Sequence, residues 1–256
     1  MIRLIGLISC LLFSTFVHAE LAKDRVFILA GQSNMQGYSA TDKVAEELKK
    51  QPHNVTFYTR GQKSTIANYK TFGPEIRFTQ AVAQTFPHDN VIIIKFVASG
   101  SAIKEWQPGS HYYDSLLKQV KLAIDPAKTK IEAFLWMQGE TDARSQEDAE
   151  NYLQRLDTFF SSLRKDLHAE DSLFLVGQIN PQDINFPYKK QVQQAQKQYC
   201  QEHDNTRLVN TDGVEKSPDK VHYSAKGEIE LGKRFAIAYI KKRKEQLLAQ
   251  MKNSQN

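Results

Sequence analysis

Arg25-Val26-Phe27-Ile28-Leu29-Ala30, followed at once by Gly31-Gln32-Ser33-Asn34-Met35, decides how the rest of this sequence is read. A short apolar run reads as a strand, and the glycine behind it permits a sharp turn that a residue with a Cβ would resist. The same grammar recurs along the chain. Candidate strands fall at Val55 to Tyr58, Val91 to Val97, Ile131 to Met137, Ser172 to Ile179 and Arg207 to Asn210. Val91-Ile92-Ile93-Ile94 is continuously apolar rather than alternating, as a strand covered on both faces should be. Between the strands, helical periodicity marks Thr41 to Lys50, Pro74 to Phe86, Tyr112 to Ile124, Gln146 to Leu167, Pro187 to His203 and Ser224 to Gln250. Strand and helix alternating in this way predict an α/β fold, a three-layer α/β/α sandwich around a mainly parallel sheet.

The chain has 256 residues, enough for one well-buried α/β domain, and no linker or composition break divides it. Residues 20–256 are read as that domain. Ahead of it, Arg3, the apolar run Leu4 to Val17 and the close Val17-His18-Ala19 have the form of a secretory signal, Met1 to Ala19. The run is short for a membrane span, so export without stable insertion is expected. A lipoprotein site at Cys10 ranks second, because Leu11-Leu12-Phe13 continues the apolar run beyond it. The periplasm and the medium stay open as destinations.

Removal of Met1 to Ala19 leaves a net charge of +4 and a single cysteine, Cys200, so the mature chain has no intrachain disulfide. The surplus gathers at Lys241-Lys242-Arg243-Lys244, where cations suit a helix C-terminus. With no nucleic-acid motif beside it, this charge does not point to a nucleic-acid partner. None of the histidines has a His or Cys neighbour at metal-ligand spacing, and neither a metal nor an organic cofactor is expected. Asn54-Val55-Thr56 matches a glycosylation acceptor, a pattern that also arises by chance.

In doubly wound sheets, ligands bind beyond the carboxyl ends of the strands. Three such ends carry unusual residues here. Behind the first strand, Gly31-Gln32-Ser33 holds a serine at the sheet edge; it lacks the second glycine of the α/β-hydrolase nucleophile elbow. Behind Val97, the small residues of Ala98-Ser99-Gly100-Ser101 let a backbone N–H approach a ligand. Behind Met137 comes Gln138-Gly139-Glu140-Thr141-Asp142, where the Gln138 amide is a possible donor to a developing negative charge. Near the C-terminus, Asp219-Lys220-Val221-His222 is spaced so that Asp219 can accept from the Nδ1–H of His222, leaving Nε2 to take a proton from Ser33. Each loop alone has an ordinary explanation as a turn or cap. Together they are far more specific.

These blocks, with Gly73-Pro74-Glu75-Ile76 and the segment from Gly100-Ser101 to Trp106-Gln107-Pro108-Gly109, resemble in order the sialate O-acetylesterase and acetylxylan esterase group, carbohydrate esterase family 6 of the SGNH-hydrolase superfamily. The resemblance implies Ser33 as nucleophile, His222 as base and Asp219 as the acid beside it. It also implies an oxyanion hole from the Ser33 and Gly100 backbones and the Gln138 side chain, and an acetylated carbohydrate as substrate. Glu140 is the alternative triad acid, or else orders the site. Gln32 and Trp106 are candidate substrate-binding residues, Trp106 as a wall for sugar stacking or as a core aromatic. Where this chain has Ser99-Gly100 the group often has two glycines, which bears on the shape of the second oxyanion donor. The competing functions are a lipase or thioesterase of the same superfamily, which needs an extended apolar acyl pocket, and a carbohydrate-binding protein on a degenerate esterase fold, against which the intact Ser33, Asp219 and His222 argue.

Overall fold

A computed structural model describes residues 22–253. The signal segment Met1 to Ala19 and Cys10 lie outside the described residues. In chain order the elements are β1 (Asp24–Gly31), α1 (Ser33–Gln36), β2 (Ser39–Ala40), α2 (Glu46–Lys49), β3 (Val55–Thr59), β4 (Gln62–Ser64), β5 (Thr71–Phe72), α3 (Glu75–Thr85), β6 (Asn90–Val97), α4 (His111–Ala123), β7 (Ile131–Met137), α5 (Gln146–Glu150), α6 (Tyr152–Asp166), β8 (Leu173–Gly177), α7 (Lys189–Glu202), β9 (Thr206–Val209) and α8 (Ala225–Asn253). Seven strands form one sheet in the order β4-β3-β6-β1-β7-β8-β9. All neighbours are parallel except the β3–β4 hairpin.

Side chains alternate across the sheet, so β1 feeds two cores. Val26, Ile28 and Ala30 face a cluster containing Phe134, Trp136, Phe159, Phe160 and Phe174. Phe27 and Leu29 face another with Phe78, Val82, Leu231, Phe235 and Tyr239 from α3 and α8. The three-layer α/β sandwich is therefore observed, and β1 is its central strand.

Two helices differ from the sequence reading. Thr41 to Lys50 is not one helix: a 3₁₀ turn at Thr41–Lys43 and the short α2 flank Val44, whose extended backbone turns its side chain into a small core with Phe72 and Ile76. Gln146 to Leu167 is broken at Asn151, whose side-chain and backbone nitrogens both donate to the Glu147 carbonyl and end α5. The β4 hairpin strand and the small β2–β5 sheet were invisible to apolar patterning, since their residues are mostly polar.

Two surface features also resolve. Asn54 Nδ2 donates to the Phe86 and Asp89 carbonyls, which engages the nitrogen that glycosylation would need. Within the basic run of α8, Arg243 is half-sequestered by Glu132, with Nε 2.9 Å from Oε2 and Nη2 donating to the backbone carbonyl. Among the described residues no helix is long and apolar enough to cross a membrane.

Candidate active site

The carboxyl ends of β1, β6 and β7 lie side by side, with Gly31 opposite both Val97 and Met137. Gly31 has φ +146°, and a Cβ there would lie 2.1 Å from the Met137 carbonyl oxygen. This close approach lets Gln32 N donate to Met137 O at 2.9 Å and starts α1 directly at the sheet edge. Ser33 is its first residue, 6% exposed.

The C-terminal loop is shaped around Asp219. Its Oδ1 accepts from the backbone amides of Val221 and His222, each at 2.9 Å, while Oδ2 lies 2.7 Å from His222 Nδ1. Lys220 takes φ +60° to close this turn. Partial burial disfavours the Asp219 charge, but the hydrogen bonds from the His222 ring and the two amides outweigh it and hold the carboxyl below the ordinary aspartate range. Ser224 caps α8 through Oγ, which accepts from Gly227 N at 3.1 Å. His222 Nε2 has no hydrogen-bond partner among the described residues.

Asn34 joins the serine loop to the histidine loop. Its Nδ2 donates to Glu140 Oε1 at 2.5 Å and to the Val221 carbonyl at 3.3 Å. Lys216 Nζ donates to that same carbonyl at 2.9 Å while resting 3.4 Å from the centre of the Tyr223 ring. Burial pushes the Lys216 ammonium down to about 8, against the pull of Glu140, Glu228 and Asp219. Glu140 is 1% exposed and its single hydrogen bond among the described residues goes to Asn34, not to His222. Tyr38 stacks on the His222 ring with centroids 4.2 Å apart, and its hydroxyl meets Ser99 Oγ at 2.8 Å. The serine that stands where the related group often has glycine thus helps hold the aromatic that covers the histidine.

Gly100 has φ +75°, is exposed, and has open space where a Cβ would be. Neither Gly100 N nor Ser33 N is engaged by an acceptor among the described residues. Gln138 is placed differently from what the resemblance implies. It is fully buried, and its Nε2 donates to Ser101 O at 3.0 Å and to Asp142 Oδ2 at 2.5 Å. Asp142 also accepts from Ile103 N, at 3.0 Å, and so ties the loop behind β6 to the loop behind β7. Burial raises the Asp142 carboxyl to about 7, although the Gln138 and Ile103 donors oppose the shift.

Trp106 is not a sugar-stacking wall. It is fully buried, donates from Nε1 to Ser101 Oγ at 2.8 Å and meets Trp136 edge-on at 5.0 Å, which makes it a core residue beneath the Gly100 loop. Gln32 is 3% exposed and accepts at Oε1 from Gly139 N at 3.2 Å and Thr141 N at 3.5 Å. Asn34 and Asp142 stood inside the quoted blocks next to residues already singled out. Tyr38 and Lys216 carried no local signal.

A family model described as carbohydrate esterase, sialic acid-specific acetylesterase, matches residues 23–241. The chain belongs to that family. A probable carbohydrate esterase of Arabidopsis thaliana is 25% identical over 251 residues, spanning 88% of this chain and 93% of that one. Among solved structures, an Arabidopsis thaliana protein superposes with TM-score 0.76 at 24% identity, covering 85% of this chain and 98% of that chain. A carbohydrate acetylesterase from Xanthomonas citri superposes with TM-score 0.63 at 16% identity, over 83% of this chain and 55% of its own. Membership of the sialic acid-specific acetylesterase family implies ester hydrolysis and an acetylated carbohydrate as substrate, and the α/β fold is the one shared by SGNH-type esterases.

Proposed function

We propose that this chain is a serine esterase that removes acetyl groups from carbohydrates through an acetyl-Ser33 intermediate. The observation that carries the proposal is the 2.7 Å contact between His222 Nδ1 and Asp219, which leaves Nε2 unengaged among the described residues, on a loop held by Asn34, the residue beside Ser33. In the first half-reaction His222 accepts the Ser33 proton as Oγ attacks the acetyl carbonyl, then gives that proton to the departing sugar hydroxyl. In the second half-reaction it takes a proton from water as the water oxygen attacks the acetyl carbon; the bond from that carbon to Ser33 Oγ then breaks, His222 returns the proton to Oγ, and acetate leaves. Asp219, held in its charged form, orients the ring and stabilises the imidazolium.

A carbohydrate suits the surroundings better than a long acyl chain. Along the same sheet edge lies a cavity of about 210 Å³ that combines polar Thr59, Arg60 and Thr71 with apolar Phe57, Phe96 and Val97. Such a mixed lining suits a sugar, whose hydroxyls meet the polar groups while its ring face meets the apolar ones, and an alkyl chain would leave the polar groups unsatisfied. We further propose that the protein is exported, on the strength of Arg3, the apolar run and Ala19. Intact mass of secreted material should correspond to a chain starting at Glu20; a lipid-modified chain starting at Cys10 would replace this with membrane anchoring.

Acetate release should be measured on acetylated xylan, acetylated sialic acid and acetylated peptidoglycan fragments, with a long-chain ester as control. Short acetyl esters on sugars should turn over, and Ser33→Ala should abolish release while circular dichroism stays unchanged. Wild-type turnover by that folded variant, or preference for the long-chain ester, would overturn the proposal.

A further inference from the structure

The oxyanion hole implied by sequence resemblance takes its side-chain donor from Gln138, yet the Gln138 amide has no proton to spare. A primary amide nitrogen carries two hydrogens. One goes to the Ser101 carbonyl and the other to the Asp142 carboxylate, deep in the protein. Exchanging the amide oxygen and nitrogen offers no escape, because the oxygen would then face the Ser101 carbonyl, an acceptor against an acceptor.

Gln32 is built the opposite way. Both groups that touch its amide oxygen are backbone N–H donors, from Gly139 and Thr141, so that oxygen is identified by its partners and the nitrogen must point away from them. Gln32 Nε2 has no acceptor among the described residues, and it is not one of the side-chain atoms sealed from solvent without a partner. The amide is also in the right place. It grows from the residue immediately before Ser33, and Thr141, whose N–H it binds, donates from Oγ1 to the Gly100 carbonyl at 3.0 Å. Gln32 therefore lies where the Ser33 and Gly100 loops meet, beside two backbone amides that are themselves unengaged among the described residues.

We propose that the Gln32 side-chain nitrogen, together with the Ser33 and Gly100 backbone amides, forms the oxyanion hole, and that Gln138 holds the two flanking loops together from below. This rests on the acyl-transfer function proposed above. As Ser33 Oγ bonds to the carbonyl carbon, the carbonyl electron pair moves onto oxygen, and the three N–H groups stabilise that charge without transferring a proton. The glycine of the β1 turn and the Gly139 and Thr141 amides hold the donor in place before substrate arrives.

Gln32→Glu separates a donor from an acceptor. The introduced carboxylate keeps an oxygen for Gly139 N and Thr141 N, but removes the N–H₂ and sets negative charge where the oxyanion forms. Gln32→Met removes both functions. If Gln32 is the donor, kcat should fall by about 10² to 10³-fold in Gln32→Glu with KM little changed, as for other oxyanion donors. Affinity for methylboronic acid, which forms a tetrahedral anionic adduct on a reactive serine, should fall in parallel. If Gln32 serves only as an acceptor that braces the loop, the neutral variant Gln32→Met should lose thermal stability and raise KM together with any fall in kcat, and a folded Gln32→Met with wild-type kcat and boronate affinity overturns the proposal. Wild-type protein and Ser33→Ala run alongside. Absence of acetate release by the wild type would defeat the esterase function itself, while boronate binding still reports on Gln32.

Discussion

Asp219 and Glu140 are both carboxylates within reach of the histidine loop, and their hydrogen bonds separate their roles. Asp219 holds the ring nitrogen and two amides of its own turn, whereas Glu140 holds Asn34 and leaves Oε2 buried with no partner among the described residues. If Asp219 fixes the tautomer and stabilises the imidazolium, Asp219→Asn should lower kcat by up to about 10⁴-fold. Glu140→Gln keeps an oxygen for Asn34 and should cost much less. Acetyl-ester kinetics on both variants, with circular dichroism to verify folding, checks this. Near-normal kcat for Asp219→Asn combined with collapse for folded Glu140→Gln would make Glu140 the triad acid. The pairing of Asp219 with His222 was legible because three residues of separation is a local matter. The pairing of Glu140 with Asn34 was not, because the two stand 106 positions apart.

Among the elements, the β1–α1 junction bears most directly on the site. Gly31 lets β1 pass against the end of β7, and any side chain there would collide with backbone rather than with a yielding side-chain tip. Gly31→Ala should therefore destabilise the fold by roughly 3 kcal/mol or more, from the strained φ and the overlap with the Met137 carbonyl together. Urea unfolding of the variant measures it; a loss below about 0.5 kcal/mol, the range of an ordinary surface change, would contradict the geometry. The glycine was readable as a turn signal behind an apolar run. The breaks at Val44 and Asn151 were not readable, since each depends on where the chain finds a core or a carbonyl partner in three dimensions.

At the scale of the whole molecule, burial of acidic groups under the site links stability to pH. Asp142 has its folded carboxyl raised from 3.8 to about 7, and Glu228, fully buried with neither oxygen hydrogen-bonded among the described residues, is also raised well above its ordinary value by burial and by Glu75. A carboxyl raised on folding binds a proton that the unfolded chain has already released. Its contribution to stability is thus full below pH ~4 and is lost as pH rises toward and through 7. Asp89, Asp148 and Asp219 are shifted downward and act in the other direction, but only in more acidic solution. Between pH 5 and pH 8 the wild type should therefore lose thermal stability, and Asp142→Asn, which cannot ionise there, should lose less. Differential scanning calorimetry at the two pH values tests this, and equal slopes for both proteins would count against a raised Asp142.

The amino-acid sequence was sufficient for what repeats or lies close along the chain: the apolar runs of the parallel sheet, the amphipathic helices, the glycine turn before Ser33, and the Asp219-His222 spacing. Those features are set by local geometry and by side-chain period, and both survive without knowledge of contacts. The tertiary structure was needed wherever a group's role depends on what occupies the space around it. Trp106 is core because Trp136, Phe96 and Phe159 surround it, and Tyr38 covers His222 because Ser99 holds its hydroxyl. Gln138 and Gln32 are chemically the same side chain on neighbouring loops. One meets two acceptors and the other two donors, and that difference in partners, which no spacing along the chain encodes, leaves one amide nitrogen used inside the protein and the other free to face a substrate.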